Sequence, residues 1–87
     1  MKIIKSATAG TMESSDAYIE IEPIEQGLEI SVESVVFEQF GDSIKETVNE
    51  VLKENDISDA RVRVFDRGAL ECVIRARVET AILRGRE

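Results

Sequence analysis

Residues 17 to 33 read Ala17-Tyr18-Ile19-Glu20-Ile21-Glu22-Pro23-Ile24-Glu25-Gln26-Gly27-Leu28-Glu29-Ile30-Ser31-Val32-Glu33, and this stretch decides the fold. Apolar and acidic side chains alternate through Tyr18-Ile19-Glu20-Ile21-Glu22. Leu28 to Glu33 repeats the pattern with Leu28, Ile30 and Val32 on one face. A period of two puts one face on a core and the other in water, so two antiparallel strands are expected here. Pro23 removes a ladder donor and Gly27 can adopt positive φ, which sets their connection at residues 23–27.

Working outward toward the C-terminus, Phe37, Phe40, Ile44, Val48, Val51 and Leu52 recur at steps of three and four, one side of an amphipathic helix. Ser34 could cap a helix running from about Val35, or Gly41 could break it so that only Asp42 onward is regular; the long version is favoured. Asn55 suits a left-handed cap at its end. Arg61-Val62-Arg63-Val64-Phe65 alternates again as a third strand, and Asp66-Arg67-Gly68 is a turn. Leu70, Val73, Ile74, Val78, Ala81 and Ile82 then line a second helix, with Glu71 set for an ion pair with Arg75 one turn on. The expected fold class is α+β: a small, open, mostly antiparallel sheet with two helices packed on one face, in the order β-β-α-β-α. Phe40, Ile44, Val48, Ile74 and Val78 are the expected core.

Upstream, residues 5–16 are small and hydroxyl-rich without apolar periodicity, and a flexible, exposed segment is expected. Residues 84–87 should fray. With 87 residues in all, the chain has room for one domain and one core, not for a second domain or a large enclosed active site.

Eighteen acidic against 11 basic side chains give a net charge of -7. Such a surface repels phosphate backbones and anionic lipid heads, so nucleic acid and membrane are poor partners. No apolar run approaches the roughly 20 residues that span a bilayer, and Met1 to Lys5 is too short for a secretory signal, so a cytoplasmic location is expected. Cys72 stands alone and there is no histidine, which excludes an internal disulfide and the usual small zinc sites.

An autonomous enzyme needs a base, a nucleophile or a metal gathered in a pocket, and this composition offers little of that. Glu20, Glu22, Glu29 and Glu33 alternate with core positions and read as solvated charges. Cys72 reads as a half-buried packing residue, and Arg75 and Arg77 as surface ion-pair partners more than an anion clamp, although the two could guide an anionic partner. The remaining anomaly is Gly10-Thr11-Met12-Glu13-Ser14-Ser15-Asp16. Its bland reading is a turn whose hydroxyls and carboxylate bond to local backbone. In its functional reading, a serine on an exposed segment is a covalent attachment site, and spacing does not choose between Ser14 and Ser15.

Three separated motifs, Ala9-Gly10-Thr11-Met12-Glu13-Ser14-Ser15-Asp16, Gln39-Phe40-Gly41-Asp42 and Gly68-Ala69-Leu70-Glu71-Cys72-Val73-Ile74-Arg75-Ala76-Arg77, resemble those of the citrate lyase acyl carrier (gamma subunit) family. The resemblance covers nearly the whole chain. Met12 and Val78 stand where that family usually has Leu, and Glu71 where Asp is common; the serine motif is intact. The resemblance implies a non-catalytic carrier whose Ser14 forms a phosphodiester to a 5''-phosphoribosyl-3'-dephospho-CoA group, with Gly10, Glu13 and Asp16 as recognition positions, Glu13 and Asp16 alternatively serving turn geometry, and no metal. Its implied partners are an alpha subunit that exchanges acetate for citrate on the carrier and a beta subunit that cleaves the citryl thioester to oxaloacetate. A prosthetic-group transferase and an acetylating ligase would prepare it.

Rival readings are the related carrier of malonate decarboxylase, a non-covalent acidic assembly or regulatory module, and a thiol enzyme built on Cys72. The malonate carrier has a Thr-Pro step after Gly-Ala, which Gly68-Ala69-Leu70-Glu71 lacks.

Overall fold

The computed structural model describes residues 2–35 and 37–87, the side chains of 37–40 excepted, so the core role expected of Phe40 lies outside the described residues. Four strands and two helices follow one another as β1 (Ala7–Gly10), β2 (Ala17–Glu22), β3 (Leu28–Ser34), α1 (Phe37–Glu54), β4 (Ala60–Asp66) and α2 (Glu71–Gly85). The α+β class holds, as does the run β-β-α-β-α from residue 17 onward. Helix α1 is the long version, with Gly41 inside it. Beyond its end, the left-handed residue is Asp56 (φ 56°) and not Asn55, whose side-chain amide donates back to the Val51 carbonyl at 2.9 Å.

The sheet is mixed. Its order is β1-β2-β4-β3, so the first two alternating segments are not neighbours. Strand β4 lies between them, antiparallel to β2 and parallel to β3. A parallel pair needs a long crossover, and α1 supplies it. Charge explains the arrangement. Pairing β2 with β3 would align two acidic strands, and like charges across a ladder destabilise it. The observed register instead sets basic β4 between them: Arg61 lies across from both Glu22 and Glu29 and donates to them at 2.8 and 3.2 Å.

One sheet face is covered by the helices. Ile19 and Ile21 of β2, Val62 and Val64 of β4, Ile44, Val48, Val51 and Leu52 of α1, and Ile74, Val78 and Ile82 of α2 are buried in a single core. Ile44, Val48, Ile74 and Val78 are therefore where the periodicity puts them. Leu70, expected on the second helical face, is 71% exposed. Arg75 reaches across to Glu54 (2.7 Å) and Glu50 (3.2 Å) of α1, not to Glu71 as expected, and so spans the two helices.

Both ends of the chain differ from expectation. Within the segment expected to be flexible and exposed, Ala7–Gly10 form an edge strand on β2, with Ala9 buried. Its inward side chains are small because α2 approaches closely: a Cβ added at Gly85 would stand 3.4 Å from the Ala7 Cβ and 2.9 Å from the Lys5 carbonyl oxygen. Where residues 84–87 were expected to fray, the Gly85 carbonyl accepts from the Ile4 N–H (2.8 Å), the Glu87 N–H donates to the Lys2 carbonyl (3.0 Å), and Arg84 donates to the Thr8 carbonyl. Buried Ile3 bridges Arg86, so the two termini close one edge of the domain together.

Candidate functional site

Strands β1 and β2 form a hairpin whose first and last rungs, Ala7–Ile21 and Gly10–Tyr18, are symmetric about position 14. Ser14 is thus the central residue of the hairpin loop. It is exposed, and among the described residues its hydroxyl makes no hydrogen bond. Glu13 and Ser15 beside it are exposed too.

The loop departs from the ladder through two left-handed residues. Gly10 has φ 92°, and a Cβ there would collide with the Ala17 carbonyl oxygen, so only glycine fits the exit from β1. Ser15 has φ 66°, a conformation that a non-glycine residue holds only where its surroundings enforce it. Here the enforcement is a pair of backbone bonds to the turn after β4: the Ser15 N–H donates to the Arg67 carbonyl and the Arg67 N–H to the Asp16 carbonyl, both at 2.9 Å.

Asp16 anchors the loop through its side chain. Arg77 of α2 grips its carboxylate with two donors, Nε to Oδ1 at 3.0 Å and Nη2 to Oδ2 at 2.9 Å. The Thr11 hydroxyl donates to Oδ2 at 2.6 Å and the Ala17 N–H to Oδ1 at 2.7 Å. The Arg77 bonds, then the Thr11 and Ala17 bonds, outweigh desolvation and hold the carboxyl at a pKa of about 2. A carboxylate so committed is a poor proton acceptor, so Asp16 is no general base for Ser14.

The supporting turn is built around Asp66, which is 2% exposed. Its side chain accepts from the Ser34 hydroxyl (2.7 Å) at Oδ2 and from the N–H groups of Gly68 (3.1 Å) and Ala69 (2.9 Å) at Oδ1, so both oxygens are hydrogen-bonded. Cys72 is exposed, not half-buried as expected. Among the described residues no group of His, Cys, Asp or Glu is arranged to hold a metal, and no helix is long and apolar enough to cross a membrane.

Of the positions singled out in the sequence, the fold thus brings Gly10, Glu13, Ser14 and Asp16 into one hairpin loop. Gly10 and Asp16 shape that loop from within. Of these four, Glu13 and Ser14 are exposed. Sequence reasoning missed the Arg77 and Arg67 contacts: Arg77 lies 61 residues from Asp16, and no local pattern pairs them.

The family model described as the malonate decarboxylase delta subunit (MdcD), an acyl carrier family, matches residues 4–85. The citrate lyase acyl carrier protein of Pectobacterium atrosepticum is 48% identical over 84 residues, 97% of this chain and 88% of that protein. Citrate lyase acyl carrier protein 2 of Salmonella typhimurium is 51% identical over 88 residues, covering 100% of this chain and 91% of its own length. In fold, the chain is similar to one in the crystal structure of a Pseudomonas malonate decarboxylase hetero-tetramer in complex with malonate, with a TM-score of 0.80, 22% identity, and coverage of 92% of this chain and 82% of that one.

Proposed function

The chain belongs to the citrate lyase acyl carrier protein family, and we propose that it is the non-catalytic carrier of citrate lyase, bearing a phosphoribosyl-dephospho-CoA arm on Ser14. The observation that carries the residue assignment is the hairpin: Ser14 is its central, exposed residue, with a hydroxyl free of internal bonds among the described residues. A group attached there meets no covering side chain among the described residues, so the site fits a covalent arm. When bound, that arm supplies a terminal thiol on which acetyl and citryl groups travel as thioesters.

The chain's own residues supply placement. Asp16, Arg77 and the Arg67 backbone fix the loop on the domain, and Gly10 turns the chain into it. Ser14 Oγ is an ordinary weak nucleophile with Asp16 withheld from it, so the modifying transferase must provide the base. Tethering then makes each encounter with the alpha and beta subunits intramolecular, at effective concentrations on the order of mM for a short flexible link. Glu13 is the exposed acidic neighbour open to recognition by these partners. The Gly68-Ala69-Leu70-Glu71 step and the identity to citrate lyase carriers favour this reading over the malonate decarboxylase carrier.

Ser14→Ala tests it. The variant should fold as the parent does, since one exposed hydroxyl is lost. It should also lack the prosthetic-group mass increment when produced with its modifying enzymes, and fail to support citrate cleavage in the assembled complex. Ser15→Ala should retain both. A group mapped to Ser15, or citrate cleavage with the Ser14→Ala carrier, overturns the residue assignment.

A further inference from the structure

Beside the hairpin loop lies a shallow cleft of about 180 Å³ that the folding of three distant segments brings together. Met12 comes from the loop, Val35 from the end of β3, and Phe65 and Arg67 from the end of β4 and its turn. Met12 and Val35 are 48% and 66% exposed. The half-buried Phe65 ring packs against Tyr18 at a centroid distance of 6.1 Å, which gives the cleft a firm aromatic wall. Apolar side chains left open to water beside an attachment serine favour a ligand that covers them.

Arg67 adds a charge of the right sign. Arg61, Arg75 and Arg77 are each tied to carboxylates, whereas Arg67 has no acidic partner among the described residues. The nearby carboxylates do not compete equally for it: Asp16 is gripped by Arg77, and Asp66 is turned onto Ser34 and two backbone N–H groups. Glu33 on the cleft's lining stands beyond ion-pair distance. Through its backbone bonds to Ser15 and Asp16, Arg67 is fixed within one residue of Ser14.

We infer that this cleft receives the proximal end of the prosthetic arm, with the Arg67 guanidinium on the phosphodiester and Met12, Val35 and Phe65 against the sugar and base that follow it. A planar guanidinium offers paired donors to phosphate oxygens. It also offsets the charge that a phosphodiester adds to a chain already at -7. The distal part of the arm, with its thiol, stays free to reach partner subunits. The inference rests on the Ser14 assignment above.

The test compares apo and holo full-length chains, the holo form produced together with its modifying enzymes, by NMR and by peptide mass mapping of the same sample. Loading should shift the methyl signals of Met12 and Val35 and the ring signals of Phe65. Arg67→Gln should move the phosphodiester phosphorus resonance most of the way to its position in the denatured holo chain, and Arg67→Lys should move it less. A group mapped to Ser14 with unshifted cleft signals, or with a phosphorus resonance indifferent to Arg67→Gln, overturns the inference. So do shifts that arise only when a lyase subunit is added, which would make the cleft a protein-docking surface. A group mapped to another residue overturns the attachment assignment instead, and this inference with it.

Discussion

Replacing Arg77 with Met removes both donors to Asp16 while keeping an unbranched stem close to Gly10, where the Arg77 Cδ would stand 3.3 Å from an added Cβ. The Asp16 carboxyl falls from 3.8 to about 2 on folding, and at ~1.36 kcal/mol per pKa unit this sets a ceiling of about 2 kcal/mol. Thr11 and Ala17 share that total, and the Arg77 side chain is 39% exposed, so solvent screening reduces the Arg77 share to about 1 kcal/mol. Because the folded-state pKa lies below the unfolded one, the contribution is present above pH 3.8 and is lost as the pH falls through about 2. Urea melts of parent and Arg77→Met should therefore differ by about 1 kcal/mol at pH 7, equivalent to about 4 to 8 °C in Tm for a domain of this size. At pH 2 that difference should shrink toward zero. A loss below about 0.3 kcal/mol at pH 7 would show that the ion pair is no anchor. A difference undiminished in acid would mean that Arg77 acts by packing alone.

Two further outcomes follow from the same geometry. Gly10→Ala forces a Cβ into the Ala17 carbonyl at a φ of 92°, so it should cost at least about 1 to 3 kcal/mol and lower the yield of modified chain, read by melts and intact mass. Ile44→Ala and Ile74→Ala empty opposite helical contributions to the one core and should each cost about 2 to 5 kcal/mol in denaturant melts; losses below about 0.5 kcal/mol at both would contradict the packing.

The chemistry of the chain is divided between rigidity and exposure. A serine on an unanchored segment would sample many positions, whereas here the loop is tied to α2 through Asp16 and Arg77 and to the β4–α2 turn through Ser15 and Arg67. In the carrier proposed above, the domain holds the attachment point, and the reach needed to visit separate active sites is left to the arm.

Periodicity alone determined the α+β class and most of the expected core, because Ile44, Val48, Ile74 and Val78 lie on apolar faces that only burial satisfies, whereas the long first helix was favoured over a break at Gly41 without being decided. The serine-bearing motif was legible as well. Strand order was not, although its cause was in the sequence: the acidic positions Glu20, Glu22 and Glu29 and the basic ones Arg61 and Arg63 are complementary, and they come into register only when β4 enters between β2 and β3. Strand β1 escaped notice because Ala7 and Ala9 are small to admit α2, which erases the hydrophobic contrast that marks a strand. The roles of Gly10 and Asp16 could be decided only by the tertiary structure. Whether a carboxylate faces a partner or is held by an arginine depends on contacts across 61 residues of chain, and local pattern carries no record of which distant side chain arrives.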